Sequence, residues 1–508
     1  MLNIPNYVIK IISDLESAGH EAFVVGGSVR DVLLKCEPKD WDVTTNARPE
    51  EILKVFPGGK YENIFGTVIV PVKNDAGETE AVVEVTTYRS EQGYSDRRHP
   101  DEIRFEDELD KDLERRDFTI NAMALRITHN AERITKNADA KIIESKSDSR
   151  YALRDMRYAI IDLFGGQKDL TKKIIRAVGE PTDRFKKDAL RMLRAIRFSV
   201  ELGFEIEPKT ERAIVKLAGG IKFISGERIR DELVKILVSP SPSEGIEALQ
   251  QTKLLQYILP ELERGVGVAQ NKHHTHTVYK HSVLSLKFCP SKDWRVRFAA
   301  LLHDIAKPQT KRLIGGDATF YNHDAVGARV AGKIMARLKF STADTEKVTT
   351  LIRNHMFYYN VDEVTAAAVR RLIAKVGKEN LEDLIKIRVG DRLGSGVPKA
   401  KPYKLRHLEY MLKRVQTDPV SVKMLKINGT DLMDELKLAP GPKIGAILDV
   451  LLSEVIEEPK LNTKEYLTKK SKELDQLDIN QLRAKAKEKI EEKKMEDDQE
   501  LKGEFWVK

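Results

Sequence analysis

Apolar and polar positions follow two rhythms along the chain, and the change between them divides the protein. Up to about residue 130, short β-branched runs bounded by Gly, Asn or Asp (AFVVGG, WDVTT, TVIVPV, AVVEVTTYR) predict strands. Beyond about residue 165, apolar residues recur at intervals of three and four, as in LRMLRAIRFSVELGF, ERIRDELVKILV and AVGARVAGKIMARLKF, and predict helices. Strands first and helices after predict an α+β protein: an α/β head with a small mixed sheet, followed by wholly helical parts. Between them, residues 128–157 are polar and weakly periodic and predict an inserted surface segment. Past Leu461 the chain turns Lys/Glu-rich, with opposite charges four apart that predict a solvated helix.

Composition narrows this only a little. Lys and Arg number 87 against 79 Asp and Glu, a net charge of +8 that suits a polyanionic partner without requiring one. Two cysteines, Cys36 and Cys289, fit neither a disulfide framework nor a cysteine metal site. The opening MLNIPNYVIKIISDLE predicts an acid-bearing amphipathic helix, and no apolar run approaches a membrane span. A reduced, cytosolic protein is expected.

Candidate chemistry begins at residue 22. AFVVGG followed by SVRDVLLK predicts a strand, a glycine turn at Gly26, Gly27 and Ser28, and a helix, a geometry that lets backbone N–H groups approach an anion. Alone it is also a common steric junction, and Arg30 fits either a phosphate clamp or a partner for Asp31. Asp40 and Asp42, two apart on the next strand, share a face and repel unless a cation or donor lies between them. That spacing suits Mg²⁺ ions bridging a hydroxyl and nucleotide phosphates, with Glu84 of AVVEVTTYR as a third carboxylate; two solvated acids are the plain alternative. In ERRDFTINAMAL, Asp117 and Asn121 are expected on one helix face toward ribose hydroxyls, with Arg116 toward phosphates. RFKKDALRMLRAIRF sets Arg191, Arg194 and Arg197 at spacing three, a cationic stripe that calls for an anion such as a triphosphate.

GGSVRD, DWD, RRDFTINA and DALRMLRAIRF occur in the order seen in the class II tRNA nucleotidyltransferases, the CCA-adding enzymes and their poly(A) polymerase relatives. From about residue 20 to 465 the chain resembles a bacterial member of that family. The resemblance implies that Asp40 and Asp42 hold catalytic Mg²⁺, that Gly27, Arg30 and Arg116 contact the nucleotide, and that Asp188 and Arg191 read the base edge of CTP or ATP. Arg194 and Arg197 would continue those contacts into the phosphates. The implied reaction is template-independent addition of CCA to tRNA 3′ ends, with poly(A) synthesis or partial addition as its nearest rivals. The family's pattern carries an acid just before the base-reading Asp; here it is Lys187. EQGYSDRRHPDEIRF, residues 91–105, resembles the family's flexible loop, and its length favours A addition.

A second constellation lies in VYKHSVL, ALLHDIAKP, YNHDAVGA, LIRNHMF and VGDRLGSG. It resembles an HD-type phosphohydrolase domain, which implies His281, His303, Asp304 and Asp391 as ligands of a transition metal such as Ni²⁺, Mn²⁺ or Fe²⁺. His323 and His355 would extend the set toward a second metal or a phosphate. An HD phosphohydrolase with an RNA-binding head is therefore the alternative of another class. INGTDLMDELKLAPGPKIGAILDVLLSEV resembles the family's tRNA-gripping tail, while a plain packing unit fits it equally. The expected organisation is a head at 1–165, a neck at 166–262, an HD body at 263–400, a tail at 401–465 and a charged extension at 466–508.

Overall fold

The computed structural model describes residues 2, 4–63, 66–74, 76–92, 102–128, 141–144, 157–270, 275–315, 317–357, 359–361, 363–416, 422 and 425–507. They form two compact units, Met1–Arg353 and Asn354–Lys508.

The first unit opens with helix Asn6–Ser17, whose Val8, Ile11, Ile12 and Leu15 are buried as the amphipathic pattern requires. Strands β1 (Ala22–Val25), β2 (Asp42–Thr45), β3 (Lys60–Asn63), β4 (Thr67–Lys73) and β5 (Thr79–Thr87) follow, then a separate ribbon of β6 (Arg89–Gln92) and β7 (Glu102–Phe105). With β8 (Ala124–Thr128), β9 (Lys141–Glu144) and β10 (Arg157–Ile161) the sheet takes the order β3-β4-β5-β2-β1-β8-β10-β9. Only β2 and β5 pair in parallel among its neighbours; the rest are antiparallel. This is the small mixed sheet expected of the head.

All four residues of β1 are buried, so the central strand is apolar on both faces. Phe23, Val25, Tyr88, Leu109, Leu113, Ala124 and Ile161 cluster beneath it, each worth about 1.5–3 kcal/mol of burial for the larger side chains. Residues 93–101 of the expected flexible loop lie outside the described residues, and its ends form the β6–β7 ribbon. The expected insertion holds one edge strand, β9; residues 129–140 and 145–156 lie outside the description.

After β10 the chain is mostly helical, as predicted, but not wholly so: Ile174–Ile175 pairs in parallel with Glu205–Ile206, and Arg312–Ile314 with Asp317–Thr319 in an antiparallel ribbon. Helices Leu190–Leu202, Gly226–Val238 and Pro242–Gln251 pack with Leu193, Ile196, Leu233, Ile236, Ile246 and Leu249 inside. Gly245 lets two of them touch: a Cβ there would stand 2.5 Å from Ile236 Cγ2. Helices Val278–Phe288, Trp294–Leu302 and His323–Arg337 complete the body of this unit.

The boundary between units at 353/354 falls inside the 263–400 stretch expected to be one domain. Helical period breaks there: between helices Thr342–Asn354 and Ala366–Val376 the described chain is irregular. In the second unit Leu432, Ile447 and Leu451 form a core with Leu467, Leu474, Leu482 and Ala486. The last four lie in the stretch expected to be a solvated extension. Their spacings of seven, eight and four carry an apolar seam through a Lys/Glu-rich composition, so helices Lys464–Leu474 and the start of Ile479–Phe505 belong to the tail's core. Among the described residues no helix is long and apolar enough to cross a membrane.

Candidate active site

β1 ends at Val25 and the chain turns at Gly26, with φ +78° and ψ −135°, into helix Gly27–Leu33. That backbone region is costly for any residue with a Cβ. A Cβ would also stand 2.9 Å from Arg116 Nη1 and 3.5 Å from Asp42 Oδ2, so glycine is what lets these two groups flank the turn. The buried Ser28 hydroxyl donates to Val25 O at 2.8 Å and closes the turn. Arg30 donates to Asp31 at 2.7–2.8 Å and to Asn121 Oδ1 at 2.8 Å, and lies over the Phe198 ring. Of the two earlier readings of Arg30, the structure shows the partner for Asp31, with a second bond to Asn121.

The acids are arranged differently from a plain strand pair. Asp42 opens β2, whereas Asp40 lies in the bend before it and is exposed, with Trp41 buried between them. The parallel pairing of β2 with β5 sets Asp42 directly beside Glu84. Burial raises the Asp42 pKa and Asp40 adds to the rise, against the pull of Arg116. Glu84 is raised too, by desolvation and then by Asp42, Glu62 and Asp40. Asp42 and Glu84, raised by burial and by neighbouring carboxylates, with Asp40 two residues before Asp42, are the kind of oxygen donors a hard divalent cation takes up.

Behind them runs an ion-pair network. Asp112 is fully buried and accepts from Arg115 at 2.7 Å, Arg116 at 3.1 Å and the Thr44 hydroxyl at 3.4 Å. Burial alone would raise its pKa, but Arg115 and Arg116 together hold it below the usual carboxylate range. Asp117 and Asn121 do not share an α-helical face as expected. Asn121 closes a buried 3₁₀ turn, Thr119–Asn121, and Asp117 stands just before it, accepting from Phe118 N at 2.9 Å and Arg194 at 2.6–2.7 Å. The same balance of burial against arginine, here Arg194 and Arg191, lowers Asp117.

The arginine stripe is present on helix Leu190–Leu202, but protein acids already neutralise part of it. Arg194 pairs with Asp117, and Arg197 with Glu232 at 2.8 Å and Glu201 at 3.6 Å. Arg191 donates to Arg115 O at 3.1 Å. Asp188 accepts both arms of Arg228, at 2.8 and 3.3 Å. The guanidiniums of Arg30, Arg194 and Arg197 all gather on the Phe198 ring, at 5.3, 5.4 and 4.1 Å. Asp112, Phe198, Arg228 and Glu232 were not singled out in the sequence. Asp112 was findable, standing three and four residues before Arg115 and Arg116; Arg228 and Glu232 meet the site only through the packing of two helices.

The second constellation is partly assembled within the first unit. His281, His303, Asp304 and His323 are buried together. His281 Nε2 and His303 Nε2 are 3.1 Å apart and each 3.3 Å from Asp304 Oδ2, while His323 Nε2 is 3.4 Å from Oδ1. His303 Nδ1 donates to Ala300 O at 2.8 Å and His323 Nδ1 to Phe320 O at 2.7 Å, which leaves each Nε2 a lone pair facing a carboxylate. Acceptor facing acceptor in a buried pocket fits a cation between them. Lys307 Nζ also lies 2.6 Å from Asp304 Oδ2. Asp391 and His355 belong to the second unit, where Asp391 pairs with Arg388 at 2.9 Å and His355 is buried.

Comparison with known proteins follows these parts. Residues 22–139 match the poly A polymerase head domain, 203–265 a probable RNA- and SrmB-binding site of polymerase A, and 322–470 a putative tRNA nucleotidyltransferase domain 2. An A-adding tRNA nucleotidyltransferase of Deinococcus radiodurans is 34% identical over 359 residues, covering 68% of this chain and 74% of its own. A CCA-adding enzyme of Ligilactobacillus salivarius is 31% identical over 478 residues, covering 93% and 98%. The crystal structure of a Bacillus stearothermophilus CCA-adding enzyme in complex with CTP shares the fold, with a TM-score of 0.56 at 24% identity over 93% of this chain and 97% of that one.

Proposed function

Since the chain belongs to the tRNA nucleotidyltransferase family, whose members are metal-dependent, we propose that it adds CCA to tRNA 3′ ends from CTP and ATP without a nucleic-acid template. The observation that carries the assignment of the site is the register of Asp42 against Glu84, beside the Gly26 turn and Arg116. Asp40 and Asp42 would hold Mg²⁺, with Glu84 as the neighbouring carboxylate. When bound, the ion makes the RNA 3′-hydroxyl easier to deprotonate and offsets charge on the triphosphate. The remaining work falls to the chain's own residues. The Gly26–Gly27 turn brings backbone and Ser28 N–H against the phosphates, Arg30 and Arg116 clamp them, and Arg194 and Arg197 extend that contact. Asn121, backed by Asp117, takes the ribose hydroxyls. Asp188 and Arg191 read the base edge: an acceptor and a donor suit both C and A, whose Watson–Crick edges pair an amino group with a ring acceptor.

Relatives that add A alone and relatives that add all of CCA both lie close to this chain, so the products decide the activity. tRNAs ending at the discriminator base, at C and at CC are incubated with CTP or ATP. CTP incorporation into the shortest tRNA and a single A on the CC substrate are expected. No CTP incorporation points to an A-adding enzyme, and long A tails on unstructured RNA to a poly(A) polymerase.

The convergence of three imidazole Nε2 atoms on Asp304 supports a second reading beside the first: a transition-metal centre of HD type in the same unit, with hydrolysis of phosphoesters as its chemistry. Purified protein dialysed against Mn²⁺ or Ni²⁺ should retain metal by elemental analysis, and His303→Ala should lose most of it without losing CTP incorporation. Equal metal content in the variant would remove the assignment.

A further inference from the structure

Lys187 stands where the family's pattern carries an acid. Lys187 lines a cavity of about 540 Å³ together with Glu114, Glu180 and Asp183. What fixes Asp188 comes instead from another helix. Arg228, in helix Gly226–Val238, donates Nη2 to Asp188 Oδ2 at 2.8 Å and Nη1 to Oδ1 at 3.3 Å. Leu190 N adds a third bond, to Oδ1 at 3.0 Å. A carboxylate oxygen accepts about two hydrogen bonds, so Oδ1 is filled and Oδ2 retains one lone pair. Arg191 is fixed separately, by the carbonyls of Arg115 at 3.1 Å and Arg184 at 3.5 Å.

We infer that Arg228 is the positioning residue that sets the plane of the Asp188 carboxylate for nucleobase selection. The inference rests on the assignment of Asp188 and Arg191 to the base edge. A guanidinium fork fixes the plane of the carboxylate it grips, which a lysine cannot do. With that plane fixed, the open lone pair of Oδ2 accepts the exocyclic amino group of C or A. U and G present a carbonyl oxygen at the same place, and an acceptor there meets an acceptor. Release of the fork frees the carboxylate to rotate and lets water bridge it to the wrong bases.

The test uses the full-length protein, tRNAs lacking CCA or ending in CC, an equimolar mixture of the four nucleoside triphosphates, and sequencing of the product 3′ ends. Arg228→Gln should raise the share of U and G among added nucleotides roughly tenfold, the scale of one lost bidentate contact. Arg228→Lys keeps the charge without the fork; it should shift the share in the same direction by less, and it serves if the Gln variant does not fold. Asp188→Ala tests the underlying reading. If Asp188→Ala scrambles the product while both Arg228 variants slow all four nucleotides alike, Arg228 only supports the fold and the inference is overturned. If Asp188→Ala leaves selection intact, the base-edge assignment fails and the inference with it.

Discussion

Asp42→Ala is expected to abolish nucleotide addition, lowering kcat on the order of 10³-fold or more, because it would remove the proposed Mg²⁺ ligand beside Glu84. Asp42→Asn should be nearly as inactive yet more stable than the parent when divalent ions are chelated. Burial, with Asp40 alongside, raises the folded-state pKa of Asp42 above the ordinary 3.8. A carboxyl raised in the folded state costs nothing below its unfolded pKa, and costs progressively more as pH rises through the folded one. At neutral pH the native chain therefore carries that cost and the amide does not. Thermal melts in chelator at neutral pH should show the Asn variant melting higher, and the gap should close as pH falls toward 3.8. Active Asp42→Ala protein would displace the metal site from β2; a lower melting temperature for Asp42→Asn at neutral pH would mean that the carboxylate is already neutralised by the protein.

The second large effect lies at Asp112, which touches the substrate nowhere in this reading. Asp112→Ala leaves Arg115 and Arg116 without the buried anion that both grip, and such a loss costs about 3–5 kcal/mol. Because the paired arginines lower the Asp112 pKa, its contribution is present above the ordinary 3.8 and fades as pH falls through the still lower folded value. Urea denaturation near neutral pH should show most of that loss, and Asp112→Asn, which keeps a hydrogen-bond acceptor, should lie between. Released from Asp112, Arg116 should also bind the triphosphate less well, raising KM for both CTP and ATP. A loss below about 1 kcal/mol would mean that water takes over the pair, as it does at exposed ion pairs.

How much of this could be read beforehand depends on the range of each interaction. The glycine turn, Asp42 and the arginine stripe are local in sequence, and the helix or strand period places them. Asp117 and Asn121 misled: a spacing of four suggested a helix face, but the stretch is a tight 3₁₀ turn whose polar groups face inward to Arg30 and Arg194. Asp40 was assigned to a strand that starts two residues later. Arg228 and Glu232 carry no local signal, since their partners stand 40 and 35 residues earlier in the chain and meet them only across a helix pair. The tail's seam through Leu467, Leu474, Leu482 and Ala486 was hidden by composition, because four small contributions to a core are outnumbered by the charges around them.

The pairing of Arg194 with Asp117 and of Arg197 with Glu232 has a consequence in a crude extract. A bare row of guanidiniums would hold whatever polyanion came first, and its grip would fade steeply as ionic strength rose. A row whose charges are already spoken for must trade one internal partner for each ligand oxygen, so little counterion is released on binding. Stray polyphosphates and RNA fragments then gain little by entering, and only a ligand that also satisfies the turn, the acids and the proposed base-reading pair recovers what the exchange gives up.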